Sequence, residues 1–235
     1  SYAHPRAIEL AAEVAKLAPG DLNRVFFVSG GSEAVESAWK LARQYYSARG
    51  EHRATLARIP SHPTEPGHDF DAEQAAKLGA ERRWKAISRH VAYHGTTMGA
   101  LSINGIPALR TPFEPLVPDV LHVRNTNRYH RPVEETETEF TAFLLDDLES
   151  SIEQAGPETV ALVIMEPIQN AGGSFTPPAG YFQGVREICD RYGILLSADE
   201  VITGFGRLGA WFGSEKYDIR PDIVTCAKGL SSAYA

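Results

Sequence analysis

"VALVIMEPIQNAGGSFTPPAGYFQGVREICDRYGILLSADE", residues 160–200, decides how this chain folds. Val160 to Met165 is an uninterrupted apolar run closed by Glu-Pro, which predicts a buried strand. Tyr181 to Tyr192 predicts a helix, and "ILLSA" then leads as another strand into Asp199. Two buried strands joined by a helix form a parallel crossover.

The same alternation continues on both sides. Upstream, Ala7 to Leu17 has helical spacing, and "VFFVS" at Val25–Ser29 predicts a continuous apolar strand. Apolar residues recurring from Ala34 to Tyr45 predict a helix running to about Arg49. "KAISR" at Lys85–Arg89 and "VLHV" at Val120–Val123 read as strands, with a short helix over Thr97–Ile103 and an acidic amphipathic helix over Glu135–Gln154. Downstream, "DIVTCA" is an apolar strand that leads into Lys228. The expected fold is α/β: a three-layer domain with a mostly parallel sheet flanked by helices.

Residues 51–84 break this rhythm. They hold Pro60, Pro63 and Pro66 with only a weak helical signal over Glu73–Arg83, and so predict a surface insertion or subunit contact. His52, His62 and His68 lack ligand-like spacing, and no metal is expected. There is no internal repeat.

Composition narrows the function. With 43% hydrophobic and 23% charged residues the chain is of the soluble globular class. A net charge of −7 argues against nucleic acid and against anionic membrane surfaces as partners. No apolar run reaches membrane-spanning length, and "SYAHPRAIEL" lacks the basic and apolar regions of a signal peptide. Cys189 and Cys226 form no close-spaced motif, so a reducing cytoplasm is the expected setting.

Open parallel sheets collect ligands at the carboxyl ends of their strands. Four polar features sit at such ends: "SGGSE" after Val28, Glu166 after Met165, Asp199 after Ala198, and Lys228 after Ala227. Gly30 and Gly31 allow close approach of backbone amides, Ser32 adds a hydroxyl, and the helix that follows offers positive potential; together they suit a phosphate. A plain helix cap built on Ser32 and Glu33 uses the same residues. Asp199 is a carboxylate to be desolvated unless it meets a cation or donor, or else caps a turn, and Glu200 reads as a structural partner. Lys228 is either a nucleophilic amine or a lysine reaching the rim. Tyr93 is either an aromatic plate for a ring or an ordinary half-buried tyrosine. A single ligand with a phosphate, a flat ring, a basic ring nitrogen and a carbonyl would engage the Gly30-Gly31-Ser32 turn, Tyr93, Asp199 and Lys228, and pyridoxal phosphate has each of these groups.

Five segments, "SGGSEAVESAWKLAR", "AYHGTTMGALSING", "MEPIQNAGGSFTPPAGYF", "CDRYGILLSADEVITGFGRLG" and "PDIVTCAKGLSS", together resemble the class III (omega) aminotransferases of the fold-type I pyridoxal-phosphate enzymes. They occur in family order over nearly the whole chain. The resemblance implies that Gly30, Gly31 and Ser32 hold the cofactor phosphate, and that Tyr93 and Val201 cover the two faces of the pyridine ring. It implies that Asp199 pairs with the ring nitrogen, and that Lys228 carries the cofactor as an aldimine and then moves the proton. Glu166 would stand on the substrate side. Many members carry a glutamine where this chain has Ile202, and "DEVITGFGR" looks more like the amine and beta-alanine:pyruvate branch, so pyruvate is the preferred acceptor. Residues 1–235 would be the cofactor-binding large domain of a longer homodimeric enzyme, without its small domain, carboxylate-binding arginine and partner-subunit threonine. The resemblance then implies that the chain alone binds the cofactor poorly or fails to turn over. Decarboxylases and aminomutases share the class and its motifs, and a catalytically incompetent fragment is the remaining alternative.

Overall fold

The computed structural model describes residues 4–48, 83–131, 134–232 and 234. Its elements, in chain order, are α1 (Pro5–Leu17), α2 (Gly31–Tyr46), β1 (Lys85–Arg89), α3 (Met98–Ile103), α4 (Pro107–Arg110), β2 (Val120–Val123), α5 (Glu137–Ala155), β3 (Val160–Met165), α6 (Tyr181–Tyr192), β4 (Leu195–Asp199), α7 (Gly213–Lys216) and β5 (Ile223–Thr225). The strands form one parallel sheet in the order β2-β1-β3-β4-β5. The expected α/β architecture is the one found.

Side chains alternating across the strands divide the core in two. On one face Ile87, Val163, Met165 and Leu196 meet Phe140, Leu144 and Leu148 of α5 and Phe182, Val185 and Ile188 of α6. On the other, Ala86, Leu162 and Ile164 meet Val35, Trp39 and Ala42 of α2 and Ala100 and Ile103 of α3. All six residues of β3 are buried, as its unbroken apolar run requires. The long acidic helix α5 starts at a capping box, in which Thr136 Oγ1 accepts the Glu139 amide while the Glu139 carboxylate accepts the Thr136 amide. Helix α6 stops at Gly193, whose φ of +63° is the left-handed conformation such an ending favours.

Two expectations change. Val25–Ser29 is irregular backbone rather than a strand, and Phe26 is 79% exposed. A strand needs a hydrogen-bonding neighbour; this segment pairs with none of the described strands, and it and β5 instead line a common cavity. The 51–84 insertion lies outside the described residues except for Arg83 and Trp84, which belong to the approach to β1. The Trp84 amide bonds Thr159 O at 2.8 Å, and Arg83 donates to the carbonyls of Pro157, Val160 and Tyr192. His52, His62 and His68 lie outside the described residues. Helices α4 and α7, four residues each, were not foreseen.

The connections that leave β1 and β3 go to opposite faces: α3 joins the α2 layer, and α6 joins the α5 layer. Such a reversal opens a crevice at the carboxyl ends of the two strands.

Candidate active site

All eight residues that the sequence singles out, from Gly30 to Lys228, line one cavity of about 1710 Å³ over these strand ends. The loop after β1 supplies Tyr93, the residue after β3 is Glu166, β4 ends in Asp199 with Val201 in the turn that follows, and the turn after β5 supplies Lys228.

Three of these features converge at Gly31, the first residue of α2. A Cβ built there would lie 3.1 Å from both methyls of Val201 and 3.4 Å from Ala227 Cβ. The absence of a side chain thus seats the start of the helix against the valine and against the residue before Lys228. At Gly30 a Cβ would meet nothing of the protein within 4 Å, and its backbone is extended. The protein itself imposes no glycine there; a group held against the first amides of α2 would. The helix leaves those amides without internal partners.

Ser32 does not cap its own helix. Its Oγ accepts the amide of Thr96 at 3.0 Å, which ties the start of α2 to the loop after β1. In that loop Gly95, at φ +134°, lies so close that any side chain would strike Ser32. Glu36 completes the tie by accepting from Thr97 Oγ1 and from the Gly99 amide at the start of α3.

Asp199 closes β4 and is buried. Its Oδ1 accepts the Val201 amide at 3.1 Å, and its Oδ2 lies 2.7 Å from Nδ1 of His94. Both sequence readings of this aspartate therefore hold: it closes a turn, and it meets a donor. Each carboxylate oxygen has two lone pairs, so a further bond toward the cavity remains open to it. Sequence reasoning missed His94; the only signal was its place beside Tyr93, in a tripeptide that gives no indication of where its ring goes.

Glu166 is engaged by the protein's own loops. Its carboxylate accepts the amides of Tyr93 at 3.2 Å and Asn170 at 3.1 Å, while its carbonyl accepts Nη2 of Arg89 at 2.5 Å. Burial pushes the Glu166 carboxyl up, the nearby His94 and the Arg89 guanidinium pull it down, and the neighbouring Asp199 pushes it up again. Arg89 is fully buried beneath the crevice, where desolvation lowers its pKa. Glu200 turns away from the cavity and caps α7, accepting the amides of Gly213 and Ser214, as its structural reading expects.

Lys228 does not sit at the end of the strand itself. It follows β5 by three residues, opens a 3-10 turn, and is exposed. Its φ of +33° is in the left-handed region, a conformation costing about 1–3 kcal/mol that persists only where neighbours enforce it. Here the Ser232 amide bonds its carbonyl at 2.8 Å, and the Leu230 amide bonds the carbonyl of Ala227 at 2.9 Å.

The family model described as "Aminotransferase class-III" matches residues 1–235. The chain belongs to the class III aminotransferases. It is 49% identical over 234 residues to a probable aminotransferase of Mycobacterium tuberculosis, covering all of this chain and 44% of that protein. With the putrescine–pyruvate aminotransferase of Pseudomonas aeruginosa it shares 35% identity, over 99% of this chain and 44% of that one. A crystal structure of an (S)-enantioselective omega-transaminase from Thermomicrobium roseum superposes with a TM-score of 0.84 at 42% identity, covering 99% of this chain and 46% of that structure. This class III chain thus spans under half the length of these relatives. Class III aminotransferases depend on pyridoxal phosphate. The residues present fit that group: bare helix amides beside a glycine with room in front of it, a buried carboxylate with acceptor capacity, and a lysine on the same cavity.

Proposed function

We propose that the whole protein is a transaminase that moves an amino group from an amine or omega-amino acid to a keto acid, with pyruvate the preferred acceptor. In this reading, residues 1–235 are its large, cofactor-binding domain, acting in a cytoplasmic homodimer. The observation that carries it is the contact at Gly31, which draws the Gly30-Gly31-Ser32 turn, Val201 and the backbone beside Lys228 onto a single cavity with Asp199. The acceptor rests on the "DEVITGFGR" segment and on a relative named for pyruvate.

When bound, pyridoxal phosphate supplies an electron sink for the carbon that bears the substrate's nitrogen. The amides opening α2 and the Ser32 hydroxyl, whose oxygen is already oriented by Thr96, would hold the phosphate. Tyr93 and Val201 would cover the ring faces and exclude water from them. Asp199 would keep a proton on the ring nitrogen through a charge-assisted hydrogen bond. Lys228 would hold the cofactor through its Nζ and, as the free amine, would carry a proton to and from the substrate carbon. Glu166, at the substrate side of the cavity, would hold the Tyr93 and Asn170 loops in register.

Titration of the whole protein with pyridoxal phosphate should give a visible absorption band that is absent from Lys228→Ala. Borohydride reduction followed by peptide mass mapping should then place the pyridoxyl group on Lys228. A label on Lys40, Lys85 or Lys216 instead would sink the assignment. In the whole protein, amine plus pyruvate should yield alanine. Release of carbon dioxide, or a shift of the amino group within one molecule, would replace transamination by decarboxylation or by an aminomutase reaction.

A further inference from the structure

We propose that His94 is a positioning residue for the ring-nitrogen carboxylate: its Nδ1–H bonds Oδ2 of Asp199 and so keeps the rest of that carboxylate turned toward the cavity. This rests on the cofactor reading above. The pair is sequestered, with side-chain exposures of 0% for His94 and 3% for Asp199 at 2.7 Å separation.

The surrounding structure keeps the imidazole in place. The His94 amide donates to Asn104 Oδ1 at 2.5 Å, and Asn104 Nδ2 donates to the carbonyl of Gly95 at 2.8 Å, so one buried side chain clasps the backbone on both sides of the histidine. Asn104 follows α3, and the adjacent Gly105 bonds back to Ala92 and Val91. The His94 loop is therefore fixed by main-chain contacts, and its ring is left to address Asp199. The other charged groups facing the pair are Glu166, after β3, and Arg89, on β1. Glu166 is occupied with the amides of Tyr93 and Asn170, so among the described residues His94 is the one side chain bonded to Asp199.

The Tyr93–Thr96 stretch would then serve three parts of the proposed cofactor: Tyr93 one ring face, His94 the nitrogen through Asp199, and Thr96 the phosphate through Ser32. A displaced His94 would weaken the contact at the ring nitrogen specifically. A role confined to packing would weaken all contacts together.

The test compares binding of pyridoxal phosphate with binding of its analogue in which carbon replaces the ring nitrogen. In the whole protein, the natural cofactor should be preferred. In His94→Phe that affinity should fall about ten- to a hundredfold while the analogue's stays within about twofold, because only the nitrogen contact is lost. His94→Asn, which keeps an N–H donor, should restore part of the preference. A preference that survives His94→Phe, or affinities for both ligands that fall together, overturns the assignment and leaves the cofactor reading standing. No native preference, or no binding of either ligand, refutes the cofactor reading and this assignment with it. Independently of any variant, nitrogen NMR of histidine-labelled native chain should show a proton on Nδ1 of His94. A bare Nδ1 would overturn the proposal.

Discussion

Glu200 shows how much a single side chain can organise beside a site without entering its chemistry. It is fully buried, and Oε1 accepts both the amide and the hydroxyl of Ser214, at 2.6 and 2.7 Å. Oε2 accepts the Gly213 amide at 2.9 Å and the Thr203 hydroxyl. Every group facing the carboxylate is a donor, so an amide nitrogen in place of either oxygen would point hydrogens at hydrogens. Glu200→Gln should therefore cost about 3 kcal/mol, the scale of a buried, charge-assisted set left partly unsatisfied. Urea unfolding of the two proteins checks this, and a change below about 1 kcal/mol would mean that the cap contributes little. The sequence reads Glu200 as a structural partner beside Asp199. It does not reveal which amides the carboxylate meets, because α7 is four residues long and set by tertiary contact alone. His94 was hidden for a related reason: its partner Asp199 is 105 residues away, and no local pattern encodes that encounter.

At the scale of elements, legibility followed burial. β1, β2 and β3 and helix α6 occupy the residues that the apolar patterns predict, because burial on one or both faces leaves a pattern in the residues themselves. Val25–Ser29 has an equally apolar pattern and is not a strand, because pairing depends on a neighbour that a local run does not specify. β2 carries a further consequence. His122 is packed beside α3, where its Nε2 lies 3.2 Å from the carbonyl of Ile103. Burial, helped by the positive charge of Arg110, pulls its pKa from 6.5 to about 4. The folded state thus binds fewer protons than the unfolded chain between these values. The associated stability is complete above pH 6.5 and is lost as the pH falls through 4. The loss could reach about 3 kcal/mol, the free energy equivalent of that shift. Thermal unfolding followed from pH 7 to pH 4 should show this decline, and His122→Asn should flatten it. An equally steep decline in the variant would place the acid sensitivity elsewhere.

Over the whole molecule, order should grade across the sheet from its middle to one edge. β3 lies at the centre, hydrogen-bonded to β1 and β4, with every residue buried. β5 is three residues long and forms an edge, with one paired side among the described strands. The irregular segment carrying Phe26 and Phe27 lines the same cavity as β5 without pairing to it. Amide exchange follows local opening, which is rarest where burial and hydrogen bonding coincide. Amides of Ala161 to Met165 should accordingly exchange near the global unfolding limit, those of β5 faster, and those of Val25 to Val28 fastest. Phe26→Ser should also change stability by less than about 0.5 kcal/mol, as expected for an exposed position away from special contacts. Hydrogen–deuterium exchange by mass spectrometry reads this gradient peptide by peptide. Protection of residues 25–28 equal to that of β4, with a large penalty for Phe26→Ser, would mean that the segment is paired after all. Repeating the exchange at several protein concentrations then separates pairing within the chain from pairing with a second copy, because only the latter protection rises with concentration.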